Sequence, residues 1–278
     1  MQISVIVTTY NRPKALNCVL ASLAMQSVLP LEIIIADDGS TAETKELIES
    51  WQAKMSCQLL HIWQDDQGFR AASARNKGVA ASRGEYLVFL DGDCIVFTDF
   101  IARHITLAEH GQMVIGSRLL CSPILTDQIE QFQAFPIAWG LGDWVKARWQ
   151  NKVNRIFPLI RLPNMALRKC RGLKWRGVRT FNLAVWRQDF CAVNGFDELF
   201  QGWGHEDADL AVRLIHAGVK RKDGQFALPV LHLWHHESNR QQETKNMQRL
   251  QNRINSRQIL ADIGLNQYAD STLKCNVL

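Results

Sequence analysis

The chain has 278 residues, of which 47% are hydrophobic, and a formal net charge of +5 at pH 7, so it can bury a large core and is expected to be globular. No stretch approaches the roughly 18 to 20 apolar residues of a membrane-spanning helix, and the N-terminus lacks the basic and apolar regions of a secretory signal, so we expect a cytoplasmic protein. Seven scattered cysteines without a Cys-x-x-Cys pair favour neither a disulfide framework nor a thiolate zinc site.

The first 90 residues alternate between short apolar runs and segments with helical spacing. The pattern predicts strands at residues 3–8, 31–36, 58–63 and 85–90. It predicts helices at residues 12–26 and 70–82, and a third helix that begins after Ser40 or Thr41 and runs through Trp51. Strands that are apolar throughout are buried on both faces. The sequence therefore predicts an α/β fold with a Rossmann-like, mostly parallel sheet flanked by helices on both faces.

The pattern is less regular after residue 93. It predicts a helix at residues 100–109, strands at 113–119 and 182–186, and a helix at 207–217 that Gly218 ends. The stretch from about residue 120 to 180 has no clear periodicity of hydrophobic residues. The tail is expected to dock as a surface helix through Met247, Leu250 and Ile254. No linker interrupts the chain, so we expect a single compact domain.

Polar residues follow the predicted strands where a parallel sheet binds its ligands, just beyond the carboxyl ends. They are Thr9 to Arg12, Asp37 and Asp38, Gln67 to Phe69, and Asp91 to Asp93. The glycine-rich fingerprints of dinucleotide-binding folds and of P-loops are both missing after the first strand. The sequence therefore predicts one polar crevice without either common nucleotide motif.

A second acidic cluster begins the helix predicted at residues 207–217. Glu206, Asp207 and Asp209 place three carboxylates within four positions, behind Gly202, Trp203 and Gly204. Asp91 and Asp93 suit a cation, whereas the second cluster suits proton transfer. Alternative interpretations are a solvated turn for the first pair and helix-dipole stabilisation for the second cluster, although the dipole does not explain the Gly-Trp-Gly run.

Basic residues accumulate at residues 146–179, and no acidic residue occurs between Trp144 and Gln188. The segment is interpreted either as a solvated basic face or as a contact with something anionic, such as a membrane or an acidic glycolipid. No helix-turn-helix or zinc-finger pattern accompanies it, so we expect no nucleic-acid partner.

Five short motifs in order give the chain a family resemblance over roughly residues 3–240. They are Ser4 to Arg12, Ala36 to Ser40, Ala74 to Gly78, Asp91 to Asp93, and Gly202 to Asp207. Together they resemble the motifs of inverting family 2 glycosyltransferases, which have the GT-A fold. The Gly-Trp-Gly-x-Glu-Asp form resembles in particular enzymes that transfer galactose, glucose or N-acetylhexosamines.

The resemblance implies a UDP-sugar donor and a Mn²⁺ or Mg²⁺ cofactor. Asp93 is the expected metal ligand, with His235 as the favoured histidine and His232 as the second choice. The residues expected to bind the nucleotide sugar are Thr8, Tyr10, Arg12, Asp37, Asp38, Arg75, Asp91 and Trp203. Asp207 is the expected catalytic base, and Glu206 is expected to orient the hydroxyl groups of the acceptor.

The implied function is hexose transfer, glucose or galactose and otherwise an N-acetylhexosamine, to a lipid-borne or oligosaccharide acceptor in bacterial lipopolysaccharide-core or capsule synthesis. Residues 1–118 are expected to bind the nucleotide sugar, residues 119–240 to bind the acceptor, and residues 241–278 to form a helical tail. Such an enzyme would be cytoplasmic and peripheral at the inner membrane. The alternatives are a nucleotidyltransferase or phosphohydrolase using the same aspartates, and a non-catalytic carbohydrate-binding relative.

Overall fold

The computed structural model describes residues 1–132, 135–236 and 239–268. The strands are β1 (Ile3–Thr9), β2 (Glu32–Asp37), β3 (Gln58–Trp63), β4 (Tyr86–Asp91), β5 (Cys94–Val96), β6 (Gln112–Ile115), β7 (Ser117–Leu120), β8 (Asn182–Trp186), β9 (Lys220–Asp223) and β10 (Pro229–His232). The helices are α1 (Pro13–Ala24), α2 (Ala42–Gln52), α3 (Ala71–Ala81), α4 (Phe100–Leu107), α5 (Pro123–Phe132), α6 (Leu141–Trp149), α7 (Arg187–Ala192), α8 (Glu206–His216) and α9 (Glu243–Ser256). Short 3₁₀ turns lie at Pro136–Ala138, Phe157–Leu159, Ala166–Lys169 and Leu265–Tyr268.

A seven-stranded sheet in the order β3-β2-β1-β4-β8-β6-β9 forms the centre of the molecule. Strands β1 to β4 are parallel, and β8 runs antiparallel to both of its neighbours. Alternate residues of β1 pack on opposite faces: Val5 joins a cluster with helices α1, α2 and α4, and Ile6 joins one with α3, α7 and α8. The predicted α/β class, with a mostly parallel sheet covered on both faces, is confirmed.

The chain leaves the large sheet at Gly116, where the sequence predicted one continuous strand at residues 113–119. That prediction is wrong, because β6 belongs to the large sheet and β7 to a second sheet in the order β5-β10-β7. A Cβ atom at Gly116 would lie 2.0 Å from the side-chain nitrogen of Asn182. Glycine therefore allows the chain to pass against Asn182 and change sheets.

Strand register places the predicted crevice residues side by side. In the β1–β4 pair Thr8 lies opposite Asp91, and in the β1–β2 pair Thr9 lies opposite Asp37. In the small sheet, His232 of β10 lies opposite Cys94 of β5. The carboxyl ends of the central strands and the histidine strand therefore meet at one edge of the molecule.

The segment without a clear sequence period forms α5, α6 and short 3₁₀ turns rather than regular strands. Its apolar side chains pack with the small sheet in a separate cluster that includes Ile129, Trp144 and Leu231. No helix in the described parts of the chain has both the length and the apolar character to cross a bilayer.

The tail forms helix α9, but its packed face differs from the prediction. Leu250 is buried and Ile254 packs beside Phe200, whereas Met247 is 46% exposed. Asn246 and Arg253 are buried instead, because their polar groups bind partners beneath the helix. Residues 269–278 lie outside the described residues. The division at residue 118 stays a prediction; β7 crosses that position, and β8 and β9 join the sheet of β1 to β4.

Candidate active site

The end of β4 and the turn that follows it carry the two aspartates of the first acidic cluster, Asp91 and Asp93. Gly92 lies between them, and its backbone amide donates a 2.7 Å hydrogen bond to the carbonyl oxygen of Thr8. A Cβ atom at Gly92 would lie 2.9 Å from that oxygen, so a larger residue would push the turn away from β1. Glycine therefore holds Asp91 and Asp93 close to the end of the sheet.

Asp93 lies among a guanidinium and two imidazoles. Arg12 Nη1 donates to Asp93 Oδ2 at 2.8 Å, and His235 Nε2 lies 3.4 Å from the same oxygen. His232 Nε2 lies 3.6 Å from Oδ1. The structure therefore brings together the predicted metal residue and both candidate histidines. Arg12, a predicted nucleotide residue, lies on this metal side and also donates to the carbonyl oxygen of Trp234 at 3.2 Å.

The groups around Asp93 fit a divalent cation of the Mn²⁺ type. A carboxylate and imidazole nitrogens are ligands that such ions accept, and burial lowers the pKa of His232, which favours the neutral form that binds metal. The Cys94 thiol is also near, with Asp93, Cys94 and His232 ligand atoms all within 4.8 Å of one another. Burial, with Asp93 beside it, raises the pKa of that thiol well above its usual value, so the thiol is a poor ligand for this cation.

Arg75 joins the two acidic clusters. Its side chain is buried, its Nε donates to Thr8 Oγ1 at 3.0 Å, and its Nη2 lies 3.3 Å from Asp91 Oδ1. Its remaining amino group, Nη1, donates to Glu206 Oε1 at 3.2 Å. One guanidinium therefore connects the end of β1, the end of β4 and the first turn of α8.

The loop before α8 explains the glycines of the Gly-Trp-Gly run. Gly202, Gly204 and His205 have φ angles of 74°, 106° and 75°, and the left-handed region suits glycine. The amide of Gly202 donates to the carbonyl oxygen of Phe69 at 3.0 Å. This loop places Glu206 and Asp207 in the first turn of α8.

Asp207 lies beside Glu206 and an arginine that the sequence did not single out. Arg179 Nη1 lies 3.6 Å from Asp207 Oδ1, and the arginine is nearly half exposed. The acid-free segment contained Arg179, but no motif or spacing distinguished it from its basic neighbours. The structure gives that residue a place at the edge of the crevice.

Burial raises the pKa of three carboxyl groups of the crevice, Asp38, Asp91 and Asp207, and the last two are raised most. Burial raises the pKa of Asp207 to about 7, and Glu206 raises it too, while Arg179 and Arg75 act in the opposite direction. Burial raises the pKa of Asp91 to about 6, against the effect of Arg75. Desolvation and like charges are the features expected where a carboxylate must accept a proton near neutral pH.

Asp37 and Asp38, at the end of β2, form hydrogen bonds with other residues of the chain. Asp37 Oδ2 lies 2.8 Å from His61 Nε2, and Oδ1 accepts from the amide of Ser40 at 2.9 Å. Asp38 accepts from Gln64 Nε2 at 2.6 Å and from the amide of Arg70 at 2.7 Å. These bonds order the strand end, and the contacts with a nucleotide that the sequence predicted stay predictions.

The two predicted aromatic contacts lie in different settings. Tyr10 is exposed, and its hydroxyl donates to Asp66 Oδ2 at 2.9 Å. Trp203 is half-buried, and the guanidinium carbon of Arg240 lies 4.6 Å from the centre of its ring. Stacking of a sugar on Trp203 stays a prediction.

Asp209 does more than stabilise a helix terminus. It is buried, it accepts from Arg213 Nε at 2.7 Å, and its other oxygen accepts from Arg253 Nε of α9 at 3.0 Å. Arg253 also pairs with Asp197 at 2.5 Å. Asp209 therefore anchors α8 to the tail, a role that needs a partner 44 residues away along the chain and that no local pattern reveals.

Comparison with known families gives two matches that divide the chain. The family described as "Glycosyl transferase family 2" matches residues 4–157, more than half of the chain. The family described as "N-terminal domain of galactosyltransferase" matches residues 165–253, which include the loop before α8 and most of α9.

Curated relatives that match this chain are longer than it. Validoxylamine A glucosyltransferase of Streptomyces hygroscopicus subsp. limoneus is 30% identical over 232 residues, covering 78% of this chain and 48% of that protein. Hyaluronan synthase of Pasteurella multocida is 26% identical, covering 81% of this chain and 24% of that protein. The chain thus spans about half the length, or less, of these relatives.

Solved structures share the fold at low sequence identity. S. aureus TarS 1-349 in complex with UDP-GlcNAc aligns with a TM-score of 0.62 at 14% identity, covering 96% of this chain and 69% of that one. The mannosyltransferase PcManGT from Pyrobaculum calidifontis, in complex with GDP-Man and Mn²⁺, aligns with a TM-score of 0.56 at 17% identity, covering 82% and 56%. With the family match over its N-terminal half, the shared architecture and the galactosyltransferase-like C-terminal region, the chain belongs to glycosyl transferase family 2 and has the GT-A fold.

Proposed function

We propose that the chain transfers a hexose from a UDP-sugar to a hydroxyl group of a glycan or glycolipid, with inversion at the anomeric carbon. The observation that carries the proposal is the position of Arg75, which ties Asp91 on the nucleotide side to Glu206 beside the proposed base. One relative is a glucosyltransferase, and one structural neighbour binds UDP-GlcNAc. Glucose or galactose, and otherwise an N-acetylhexosamine, are therefore the proposed sugars.

The nucleotide side of the crevice binds the donor. Thr8 and Asp91, which Arg75 holds at the ends of the central strands, are proposed to contact the nucleotide, with Asp37 and Asp38 binding its base and ribose. Asp93 with His232 or His235 would hold Mn²⁺ or Mg²⁺. When bound, that ion supplies positive charge that stabilises the departing diphosphate.

Asp207 acts as the base in this proposal. As the acceptor oxygen bonds to the anomeric carbon, the bond from that carbon to the diphosphate oxygen breaks, and the acceptor proton passes to Asp207. Glu206, whose orientation Arg75 fixes, accepts hydrogen bonds from other acceptor hydroxyls. A single displacement inverts the configuration, so an α-linked donor gives a β-linked product.

The proposed acceptor is a growing bacterial surface glycan, such as a lipopolysaccharide core or capsule chain, that is carried on lipid. Among the relatives are a hyaluronan synthase and a chondroitin synthase, and their names describe synthesis of a polysaccharide. This similarity supports an oligosaccharide acceptor with several free hydroxyl groups, which agrees with a role for Glu206 in choosing among them.

Replacing the base tests the catalytic assignment. We expect Asp207→Asn to lower transfer of sugar from UDP-glucose or UDP-galactose by about 10² or more, because the amide cannot accept the proton. UDP affinity is expected to stay near that of the unchanged protein. The measurement is UDP release in the presence of Mn²⁺ and an oligosaccharide acceptor.

Asp189→Asn is the matched control for that variant, because Asp189 also lies in the first turn of a helix and burial raises its pKa too, but it lies outside the crevice. Normal turnover by Asp207→Asn would refute the base assignment. Release of UMP or pyrophosphate instead of UDP would show a nucleotidyltransferase or phosphohydrolase, and binding without any product would show a carbohydrate-binding protein.

Replacing Asp93 tests the metal assignment. Asp93→Ala removes the carboxylate that the two histidines face, so we expect Mn²⁺ to lose its effect on UDP binding. The measurement is thermal shift with UDP, with and without Mn²⁺, since a bound ligand stabilises the folded state. The exposed Asp127→Ala on α5 is the control. An unchanged Mn²⁺ dependence in Asp93→Ala would contradict the assignment.

A further inference from the structure

One face of helix α6 exposes a stripe of apolar side chains to solvent. Leu141, Val145 and Trp149 follow one another at a spacing of four residues, so they lie on one face, and they are 76%, 50% and 83% exposed. The opposite face is packed, with Trp144 and Ala147 buried in the cluster around the small sheet. A contiguous row of exposed apolar side chains on a folded domain marks a surface that binds a partner.

Cations without acidic partners flank this stripe. Lys146, Arg148, Lys152 and Arg155 form no ion pair with any described residue. Three of them donate to neutral groups: Arg148 to Asn151, Lys152 to Gln128, and Arg155 to the carbonyl oxygen of Arg118. None of these four cations is therefore neutralised by an ion pair within the part of the chain that the structure describes, although α6 itself carries one exposed carboxylate, Asp143.

The rest of the basic segment differs. Lys169 pairs with Glu109, Arg171 with Asp223, and Arg179 with Asp207. Arg168 is buried and donates to backbone carbonyl oxygens. Lys174 and Arg176 form no ion pair with any described residue, and Leu173 beside them is 71% exposed. The first part of the segment differs in that its cations flank three exposed apolar side chains on one face of a helix. Phe157 adds an exposed ring to that part.

We infer that the exposed face of α6, with the cations around it, is a docking surface for an anionic lipid bilayer. The apolar layer of a bilayer can bury the leucine and valine side chains, and its interface is the region that tryptophan favours. Its anionic headgroups can pair with the lysine and arginine side chains. Nucleic acid would complement the charge but would leave the apolar stripe in water. The inference depends on the surface alone and does not require the proposed transfer reaction.

The position of α6 connects this surface to the crevice. The cluster beneath α6 contains Ile95 and Leu231 of the small sheet, the strands that begin beside Asp93 and end at His232. A bilayer bound to α6 would therefore be separated by this one helix from the small sheet, which carries His232 of the proposed metal site.

Vesicle sedimentation with the whole chain tests the inference without any donor or metal. We expect the protein to sediment with vesicles of phosphatidylcholine mixed with phosphatidylglycerol and to remain in the supernatant with phosphatidylcholine alone. Added salt is expected to weaken binding, because surface charge interactions are screened. Equal binding to both kinds of vesicle, or to neither, would overturn the inference.

Two double variants separate the contributions of the surface. Leu141→Ser with Trp149→Ser removes apolar area, and Lys146→Gln with Arg148→Gln removes charge; each pair is expected to weaken partitioning by about tenfold or more. Met25→Ser with Leu29→Ser is the apolar control, because both side chains are exposed away from α6, at 43% and 44%. UDP release in solution is expected to stay unchanged in all of them. Unweakened vesicle binding by the α6 variants would contradict the inference, even if transfer activity is confirmed.

Discussion

Arg75 is the residue on which the proposed site is centred, because its three nitrogen groups each contact a different segment of the chain. A guanidinium is planar and presents its donors in a fixed arrangement, so it can bind Thr8, Asp91 and Glu206 at once. The sequence identified the residues of these contacts through separate motifs. It could not show that Arg75 contacts all three, because the partners lie at positions far apart in the chain.

We assign the pH dependence of proton transfer to Asp207, whereas titration of Asp91, whose pKa burial raises to about 6, is expected to change donor binding. Burial raises the pKa of Asp207 to about 7, so the carboxyl is protonated and unable to accept a proton below that value. We expect kcat/KM for the sugar donor and acceptor to rise with pH and to level off above about pH 7, with a tenfold change per pH unit on the acidic side.

The measurement is initial rate against pH at fixed Mn²⁺, with UDP affinity determined at each pH to separate donor binding from proton transfer. The Asp189→Asn control is expected to keep the same profile. A rate that stays constant down to pH 5 would argue against Asp207 as the base.

Helix α9 holds the element that carries the proposed catalytic carboxylates. Asn246 donates to the carbonyl oxygens of Gln201 and Gly204 at 3.1 and 3.0 Å, which fixes the loop before α8. Arg253 donates to Asp209 on α8 and pairs with Asp197. The tail is therefore part of the support for the crevice rather than an appendage.

Removing Arg253 tests this support. Arg253→Ala leaves Asp197 and Asp209 buried without their shared partner, so we expect the free energy of unfolding to fall by about 3 to 5 kcal/mol. Urea denaturation followed by circular dichroism gives that value. Lys45→Ala, which removes an exposed pair with Glu49 on α2, is the control and is expected to change stability far less. An equally small effect of Arg253→Ala would contradict the proposed anchoring.

Strands and helices with a regular spacing of hydrophobic residues were predictable from the sequence, whereas features fixed by contacts distant in the chain were not. The first four strands and three helices follow from apolar runs and helical spacing, and all of them are present. The break at Gly116 depends on Asn182, and the face that α9 buries depends on Asp209 and Gly204. Neither partner can be read from residues nearby in the sequence.

At the scale of the whole molecule, ordered motifs predicted the fold class and the family. They also selected most of the residues that now meet around Arg75 and Asp93. They could not show which cations of the basic segment are neutralised, since Lys169 and Arg171 find their acidic partners in other parts of the chain. Only the arrangement in space separates the cations around α6, which form no ion pair with a described residue, from paired cations such as Lys169 and Arg171.

The passage of Gly116 against Asn182 has a consequence for how the protein melts. Asn182 belongs to the large sheet, yet its side-chain nitrogen, Nδ2, donates to the carbonyl oxygen of Leu228. The same carbonyl oxygen accepts from the backbone amide of Ser117 at the start of β7. The backbone oxygen of Asn182 accepts from Gly116, and its side-chain oxygen lies 3.2 Å from His104 Nε2. If either sheet unfolded alone, these buried polar groups would lose their hydrogen-bond partners. Both sheets are therefore expected to unfold cooperatively in a single transition.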